Sequence, residues 1–406
     1  MRRRFAVLRH AVPLRFVGVH KGYRAGRKVL GRARYRLPMN VLSLAQLRAR
    51  AENLWALTLG DGIRPVVHTP HVTLVEEPHR TLRRYASEEA REAAAAAGAA
   101  PVLLIPPIAA PASCYDLSPE VSVVSHLAST GRIAYVLDFG EMGYGDRNLG
   151  FEDFALDIIP QAIARVLEDF GGGTAPDGAG VDLYGWSLGG TLSFLTAGAS
   201  KQPIRSIVSI ATPLNYDAQP PYPLVRALAR PVDGAGPGAL FGLLGGIPAP
   251  VVQVAYRATS WDRELKKPKF VLENLGDTEK LARMEAIDRF QRKFPGYPGK
   301  LAAQLWERLI YRGELAAGKV TLGEQPVDLS TIDVPIQLFG SHRDALCAWD
   351  CARHGVDLFS GSPRVEFATV ESSHLGLLAG PDAVRETWPV IDDFLASVDT
   401  EAGVVR

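Results

Sequence analysis

The chain has 406 residues, 47% of them hydrophobic and 22% charged, so it can bury a large core and has an ordinary globular composition. Its formal net charge of +1 argues against a nucleic-acid partner. Three cysteines (Cys114, Cys347 and Cys351) are too few for a disulfide framework, and their spacing matches no common zinc pattern. We therefore expect a cytoplasmic protein with neither a metal nor a cofactor.

The charge is distributed unevenly. Residues 1–50 contain 14 Lys and Arg and no acidic residue, whereas the rest of the chain carries 31 basic and 44 acidic residues. An amphipathic helix is predicted over 42–59 from the spacing of Leu42, Leu44, Leu47, Leu54, Leu57 and Leu59. The basic segment could attach the protein to an anionic membrane or lipid-inclusion surface, or it could be a solvated helical extension. No uninterrupted apolar run reaches the roughly 18 residues that a membrane-spanning helix needs.

Strands and helices alternate from residue 66 onward. A hairpin at a sheet edge is predicted from two β-type runs separated by Glu76-Glu77-Pro78-His79. Buried strands are predicted where short apolar runs end at prolines or turn residues, and helices where a cap residue opens a longer segment. In chain order the prediction is strands 72–75 and 81–85, helix 87–100, strand 102–105, helix 118–127, strand 133–138 and helix 153–170.

A nucleophile motif follows the next strand. The apolar run from Val181 ends in Gly185-x-Ser187-x-Gly189, and a helix-compatible segment (191–199) begins at once. A turn sharp enough to lift a serine Oγ above a sheet brings two backbones together where a Cβ would clash, which explains the glycines. Chance occurrence is the alternative, but the strand, turn and helix context favours a nucleophile elbow at Ser187.

The alternation breaks after the strand at 204–210. Residues 214–328 are rich in Pro, Gly and aromatic residues, and strands resume at 334–339 and 365–370 before a final helix at 389–398. We predict a mostly parallel, doubly wound α/β sheet with helices on both faces and a mainly helical inserted cap. The predicted boundaries are a basic extension (1–65), the first part of the core (66–213), the cap (214–330) and the second part of the core (331–406).

Two downstream residues complete a candidate triad with Ser187. Asp344 and His374 each lie just after a predicted strand, in the chain order nucleophile, acid, base. Serine needs a base within hydrogen-bond reach, and the imidazole needs an acid that holds its tautomer. Asp350 is a rival for the acid because it lies close to Asp344 in sequence.

An oxyanion hole needs two preorganised N–H donors. One is expected from the backbone of Leu188, directly after the nucleophile, and the other from the loop after strand 102–105, near Ile108 or Ala109. A plain prolyl turn is the alternative interpretation of that loop.

These elements together resemble the polyhydroxyalkanoate synthase branch of the α/β-hydrolase superfamily over about residues 66–398. The resemblance is carried by the strand and prolines at 102–107, the Leu117-Ser118-Pro119-Glu120 helix start, and the elbow with Gly190. It is also carried by Leu137-Asp138-Phe139-Gly140, Asp146-Arg147-Asn148-Leu149, Asp153-Phe154, Ala211-Thr212-Pro213, Gly313-Glu314-Leu315 through Val327-Asp328-Leu329, and Ile332-x-x-Pro335. The resemblance implies the α/β-hydrolase fold, and it implies a cysteine nucleophile where this chain has Ser187.

The combined expectation is a serine-dependent acyl hydrolase or acyltransferase of the esterase or thioesterase type. It would act on an acyl ester or acyl-CoA through an acyl-Ser187 intermediate, because a serine ester is usually resolved by water or an alcohol. The alternatives are a polymerising synthase and a weakly catalytic, surface-associated protein that is peripheral to membranes or lipid inclusions. A homodimer is compatible with the sequence.

Overall fold

The apolar runs of residues 66–213 form the first six strands of the main sheet. The computed structural model describes residues 43–65, 67–174, 179–259, 261–401 and 403. By its internal contacts the chain divides into Met1–Leu44 and Ala45–Arg406, and the elements below belong to the second unit apart from the first residue of α1. The elements up to residue 213 are α1 (Leu44–Thr58), β1 (Val72–Val75), β2 (Thr81–Arg84), α2 (Glu88–Ala96), β3 (Val102–Ile105), α3 (Val123–Ser129), β4 (Ala134–Asp138), α4 (Ile159–Phe170), β5 (Val181–Trp186), α5 (Leu188–Ala199) and β6 (Ile204–Ile210).

Residues 214–330 form a mainly helical insertion. Four of its helices expose large apolar side chains to solvent, among them Leu228, Leu243, Val254 and Leu265. Its elements are α6 (Tyr222–Ala229), α7 (Ala235–Leu244), β7 (Gly246–Ile247), α8 (Ala249–Ala258), α9 (Trp261–Asn274), α10 (Thr278–Arg292), β8 (Tyr297–Pro298), α11 (Gly299–Gln304), β9 (Lys319–Leu322) and β10 (Gln325–Asp328). The short strands pair as two separate antiparallel two-stranded sheets, β7 with β8 and β9 with β10.

The remaining residues return to the main sheet. They form β11 (Ile336–Gly340), α12 (Trp349–Arg353), α13 (Gly355–Leu358), β12 (Val365–Thr369), α14 (His374–Leu378) and α15 (Trp388–Glu401). The eight-stranded sheet has the order β1-β2-β4-β3-β5-β6-β11-β12. Within this sheet, each neighbouring pair in the series β4-β3-β5-β6-β11-β12 is parallel. Strand β2 pairs antiparallel with both β1 and β4. The chain therefore has the α/β-hydrolase fold, and the predicted edge hairpin is confirmed.

The core lies on both faces of this sheet because the central strands are apolar on both sides. Every residue of β3, β5 and β11 is buried, as mostly apolar runs in parallel strands predict, and the buried set includes the polar Asp182 and Gln337. One apolar layer includes Leu183, Leu192 and Phe194, and the other includes Tyr184, Trp388 and Phe394. This packing fixes the carboxyl ends of β3, β5, β11 and β12 at one edge, where a site is expected.

Several predicted helices differ from the observed ones at their starts. The helix predicted from Ser118 is a 3₁₀ turn (Pro119–Val121) followed by α3, whose cap is the Ser122 hydroxyl. The helix predicted from Asp153 begins as a π-helical turn (Asp153–Ile158) and continues as α4. Ser87 caps α2 as predicted, since its Oγ accepts the Ala90 N–H at 3.2 Å.

Helix α1 confirms the predicted helix but not the orientation of its apolar face. Its leucines at 44, 47 and 54 are exposed, and its buried residue is Asn53. The Asn53 amide donates to the Leu275 carbonyl at 2.9 Å and to the Thr278 hydroxyl at 3.1 Å. A polar side chain therefore anchors α1 against the start of α10. The predicted basic extension up to residue 42 lies outside the described residues.

Candidate active site

Ser187 lies on a strained turn between β5 and α5. Its φ of 52° and ψ of −124° are rare for a residue with a side chain. A Cβ on Gly185 would lie 2.5 Å from Gly190 Cα, and one on Gly189 would collide with the Ile105 carbonyl oxygen. The two glycines therefore allow β5, α5 and the end of β3 to approach one another closely, which is the geometry of a nucleophile elbow.

His374 is the first residue of α14, directly after the loop that follows β12, and the loop after β11 carries Asp344. His374 Nδ1 lies 2.7 Å from Asp344 Oδ2, and both side chains are almost fully buried. A carboxylate in this position accepts the Nδ1–H and so leaves Nε2 as the free lone pair of the neutral imidazole. The rival Asp350 is exposed on α12, so the structure brings Asp344 and not Asp350 to His374.

Backbone donors hold the second oxygen of the acid. Asp344 Oδ1 accepts the Leu346 N–H at 2.8 Å and the Cys347 N–H at 3.0 Å. Hydrogen bonds to the charged form stabilise a buried carboxylate. Burial raises the pKa of the adjacent Cys347 thiol well above its ordinary value, so that thiol stays neutral beside the carboxylate.

Ser187 and His374 line the same cavity of about 160 Å³, which we call the inner cavity. Ala109 and Leu188 also line it. As the first residue of α5, Leu188 has no intrahelical acceptor for its N–H. Within the described part of the chain the Ala109 N–H has no backbone acceptor either, whereas the Ala110 N–H bonds to the Pro107 carbonyl. Both predicted donor positions are thus available beside Ser187.

Ile108, the other residue considered for the oxyanion loop, occupies a different environment. Its side chain is 1% exposed and belongs to the core layer that contains Leu183. Ile108 does not line the inner cavity. Of the two positions proposed on this loop, Ala109 is the one that lines the inner cavity together with Ser187.

Aromatic residues of the cap close the inner cavity. Four tyrosines line it, and burial raises the pKa of each phenol, so all four are neutral donors near neutral pH. The tyrosines are Tyr216, Tyr222, Tyr256 and Tyr297. Such a lining suits an acyl chain, with hydroxyl groups spaced along an otherwise apolar wall.

His374 also lines a second cavity of about 450 Å³, which we call the outer cavity. Its lining includes three arginines, Arg263, Arg283 and Arg343. Arg263 is paired with Asp288 at 3.4 Å, whereas the Nε of Arg283 is buried and has no hydrogen-bond partner. Asp382 also lines this cavity, so the three arginines outnumber the acidic lining residues and leave the cavity with an excess of positive charge.

Three positioning side chains were missed by the sequence analysis. The Trp186 indole N–H donates to the His374 carbonyl at 3.2 Å, and its ring centre lies 5.2 Å from the imidazole. The buried Ser341 hydroxyl bridges the loops of Asp344 and His374, and Gln219 Nε2 lies 3.5 Å from the Ala345 carbonyl. The position of Trp186 inside Gly185-x-Ser187 was the one available signal, since Ser341 and Gln219 follow no motif.

Among the described ranges, His, Cys, Asp and Glu side chains form no cluster of three or more that could hold a metal ion. In the same part of the chain, no helix combines the length and apolar character needed to cross a bilayer.

No protein-family model matches the chain. It is similar to the poly(3-hydroxyalkanoate) polymerase subunit PhaC of Allochromatium vinosum, with 23% identity over 329 residues that cover 80% of this chain and 88% of that protein. The PhaC subunit of Haloferax mediterranei is 22% identical over 350 residues, covering 86% of this chain and 66% of that protein. The sequence resemblance to polyhydroxyalkanoate synthases is thus shown.

Two solved structures superpose on most of the chain. The mouse α/β hydrolase domain-containing protein 10 has a TM-score of 0.47 and 13% identity, and it covers 81% of this chain and 99% of its own. The putative non-heme bromoperoxidase BpoC of Mycobacterium tuberculosis has a TM-score of 0.46 and 16% identity, with coverage of 82% and 99%. The assignment of the fold follows from the sheet order and from the turn at Ser187.

Proposed function

We propose that the protein is a serine-dependent acyl hydrolase or acyltransferase that forms an acyl-Ser187 intermediate. The observation that carries this proposal is the placement of Ser187, on its strained turn, in one cavity with His374, whose Nδ1 lies 2.7 Å from Asp344. A serine hydroxyl needs such a base to become a nucleophile. The fold and the PhaC relatives support an enzyme of acyl chemistry.

In the proposed acylation step Ser187 Oγ attacks the carbonyl carbon of the substrate, and His374 Nε2 accepts the hydroxyl proton. The oxyanion accepts hydrogen bonds from the N–H group of Leu188 at the start of α5, where the helix dipole favours negative charge, and from the N–H group of Ala109 on the loop after β3. His374 then gives its proton to the leaving group. Asp344 stabilises the imidazolium throughout.

Deacylation repeats these roles with a second nucleophile. Water or an alcohol loses a proton to His374 as it attacks the acyl-serine carbonyl, and Ser187 recovers that proton when it leaves. The acceptor decides between hydrolysis and transfer. The positive outer cavity supports substrates whose leaving part carries an anionic group, such as the phosphates of an acyl-CoA or the carboxylate of a hydroxy-acid ester.

Covalent labelling tests the nucleophile. A fluorophosphonate should label wild-type protein at Ser187, as located by mass spectrometry, and Ser187→Ala should lose both the label and turnover of a panel of acyl esters and acyl-CoAs. Ser362, in a turn remote from the cavity, provides a matched control, and Ser362→Ala should label normally. Wild-type protein that is folded but is not labelled at Ser187 would contradict the proposal.

A second candidate function is a polymerising acyltransferase, which the PhaC relatives favour. The resemblance implies a cysteine nucleophile, because a thiolate exchanges acyl groups with thioesters more readily than a serine alkoxide does. Incubation with a hydroxyacyl-CoA separates the candidates, since insoluble polymer would favour synthesis and free hydroxy acid would favour hydrolysis. Ser187→Cys then tests whether the nucleophile alone limits transfer.

Peripheral association with an anionic lipid surface is a further property that we propose for the basic N-terminal segment. Exposed leucines on α1, next to 14 basic residues within the first 50, support this proposal. Deletion of residues 1–42 is the clean test because it keeps Asn53 and its bonds to Leu275 and Thr278. Unchanged binding of the truncated protein to anionic vesicles would count against a role for this segment.

A further inference from the structure

The inner and outer cavities share three lining residues. These are Tyr256 of α8, Leu346 of the loop that carries Asp344, and His374. We call this junction the neck. A substrate that places its acyl part beside Ser187 and directs its leaving part past His374 toward the outer cavity brings its scissile bond close to these shared residues. The atom that departs in acylation therefore passes Tyr256 and His374.

Tyr256 brings an unused hydrogen-bond donor to the neck. No hydrogen bond between described residues involves the Tyr256 phenol hydroxyl, whereas the Tyr256 backbone carbonyl accepts the Thr259 hydroxyl at 2.7 Å. The ring packs edge-on against Phe294 with 4.5 Å between ring centres, and Gln253 of the same helix donates to the Phe294 carbonyl at 3.1 Å. Burial raises the pKa of the phenol, so the hydroxyl keeps its proton near neutral pH. Because packing against Phe294 holds the Tyr256 ring in place, its O–H is a preorganised hydrogen-bond donor.

The chemistry at the neck differs between an oxygen ester and a thioester. When the bond from the carbonyl carbon to the leaving atom breaks, the electron pair stays on that atom. A thiol has a pKa of about 8.5, so a thiolate departs with little assistance, and sulfur is a weak hydrogen-bond acceptor. An alkoxide is far more basic and accepts hydrogen bonds strongly, so it benefits from each donor that it meets.

We propose that Tyr256 is a specificity-determining residue that favours oxygen esters over thioesters by donating a hydrogen bond to the leaving oxygen. This inference rests on the proposed acyl-Ser187 chemistry and adds a substrate class to it. Ser187 Oγ forms a bond to the carbonyl carbon, the bond to the leaving oxygen breaks, and that oxygen takes the proton that His374 received from Ser187. Tyr256 keeps its own proton and stabilises the charge that develops.

The test compares an oxygen ester and a thioester that share one acyl group and have matched leaving groups. In Tyr256→Phe, kcat/KM for the ester should fall about 10- to 100-fold, the range for loss of a donor to a developing charge, while that for the thioester should change less than about threefold. Tyr297→Phe is the matched control because Tyr297 lines only the inner cavity. It should change both substrates by one common factor and leave their ratio unaltered.

Two measurements keep the outcomes distinct. Fluorophosphonate titration counts the active sites in each variant. It therefore distinguishes a loss of active protein through misfolding from a change in specificity. In wild-type protein alone, the ester-to-thioester ratio of kcat/KM should exceed the ratio of the rates at which hydroxide hydrolyses the same compounds.

An equal loss for both substrates in Tyr256→Phe, or a wild-type ratio at or below the hydroxide ratio, overturns the role of Tyr256 and leaves the proposed function standing. Wild-type protein that is unlabelled at Ser187 and turns over neither compound overturns both.

Discussion

The substitution Ser341→Ala tests whether the Ser341 hydroxyl holds the loop of Asp344 against the loop that precedes His374. It donates to the Ser372 carbonyl at 2.8 Å and accepts the N–H groups of Arg343 and Ser372, each at 3.0 Å. Ser341 is fully buried, so water cannot replace the hydroxyl in Ser341→Ala. Each hydrogen bond contributes about 1 kcal/mol net, which gives a loss of about 3 kcal/mol in the free energy of unfolding.

The same substitution should slow acylation, because Ser341 joins the loop of Asp344 to the loop of His374. A displacement of the base by a fraction of an ångström to 1 Å can lower the rate by about 10- to 100-fold. The assay is the second-order rate of fluorophosphonate labelling of Ser187 across pH, together with urea unfolding. Ser341→Cys keeps a weak donor and should give intermediate values.

Ser362→Ala is the matched control for this prediction. The Ser362 hydroxyl shares its one proton between the carbonyls of Val334 and Arg364, at 2.7 and 3.0 Å, and accepts the Arg364 N–H at 3.3 Å, but it lies in the turn before β12. Its loss should lower stability and leave the labelling rate unchanged. If Ser341→Ala is destabilised yet labels as fast as Ser362→Ala, the positioning role is refuted.

Three further substitutions test the elbow, the acid and the contact between core and cap. Asp344→Asn should lower turnover on the order of 10³- to 10⁴-fold with little change in melting temperature, because an amide no longer selects the His374 tautomer; a loss below tenfold would contradict its role. Gly189→Ala should destabilise the fold by about 1–3 kcal/mol in urea unfolding because its Cβ meets the Ile105 carbonyl, whereas Gly242→Ala on α7, with open space at its Cβ, should be neutral or stabilising. Burial alone raises the pKa of Glu152, but its bonds to Lys300 and Gln304 outweigh burial and lower that pKa below the ordinary value. Its contribution to stability is therefore complete above about pH 4.3 and disappears as the pH falls through the lower folded pKa, so Glu152→Gln should show a shallower loss of stability between pH 5 and 3.

Local sequence was sufficient to predict the strands of the main sheet and the nucleophile elbow at Ser187. The runs at 102–105 and 204–210 became β3 and β6 with the predicted bounds. Parallel strands buried on both faces favour continuous apolar residues, as in β3, whereas β6 also contains Arg205, Ser206 and Ser209. The glycines around Ser187 were also interpretable locally, since a steric requirement at a sharp turn restricts the residues at that turn. Helix starts were less predictable because 3₁₀ and π turns depend on packing against neighbours.

What only the tertiary structure decided is which distant side chains meet. Asp344 and Asp350 are both acids after one strand, and the closure of two loops onto each other brings the first to His374 while the second stays exposed on α12. Trp186, Ser341 and Tyr256 likewise gain their roles from partners or cavities formed by segments far along the chain. Sequence alone therefore determined the eight strands of the main sheet, their order of appearance and the position of Ser187, because these depend on neighbouring residues, whereas the short strands β7 to β10 were not predicted. The environment of the base and the neck between the cavities depend on contacts across the fold, which no local pattern encodes.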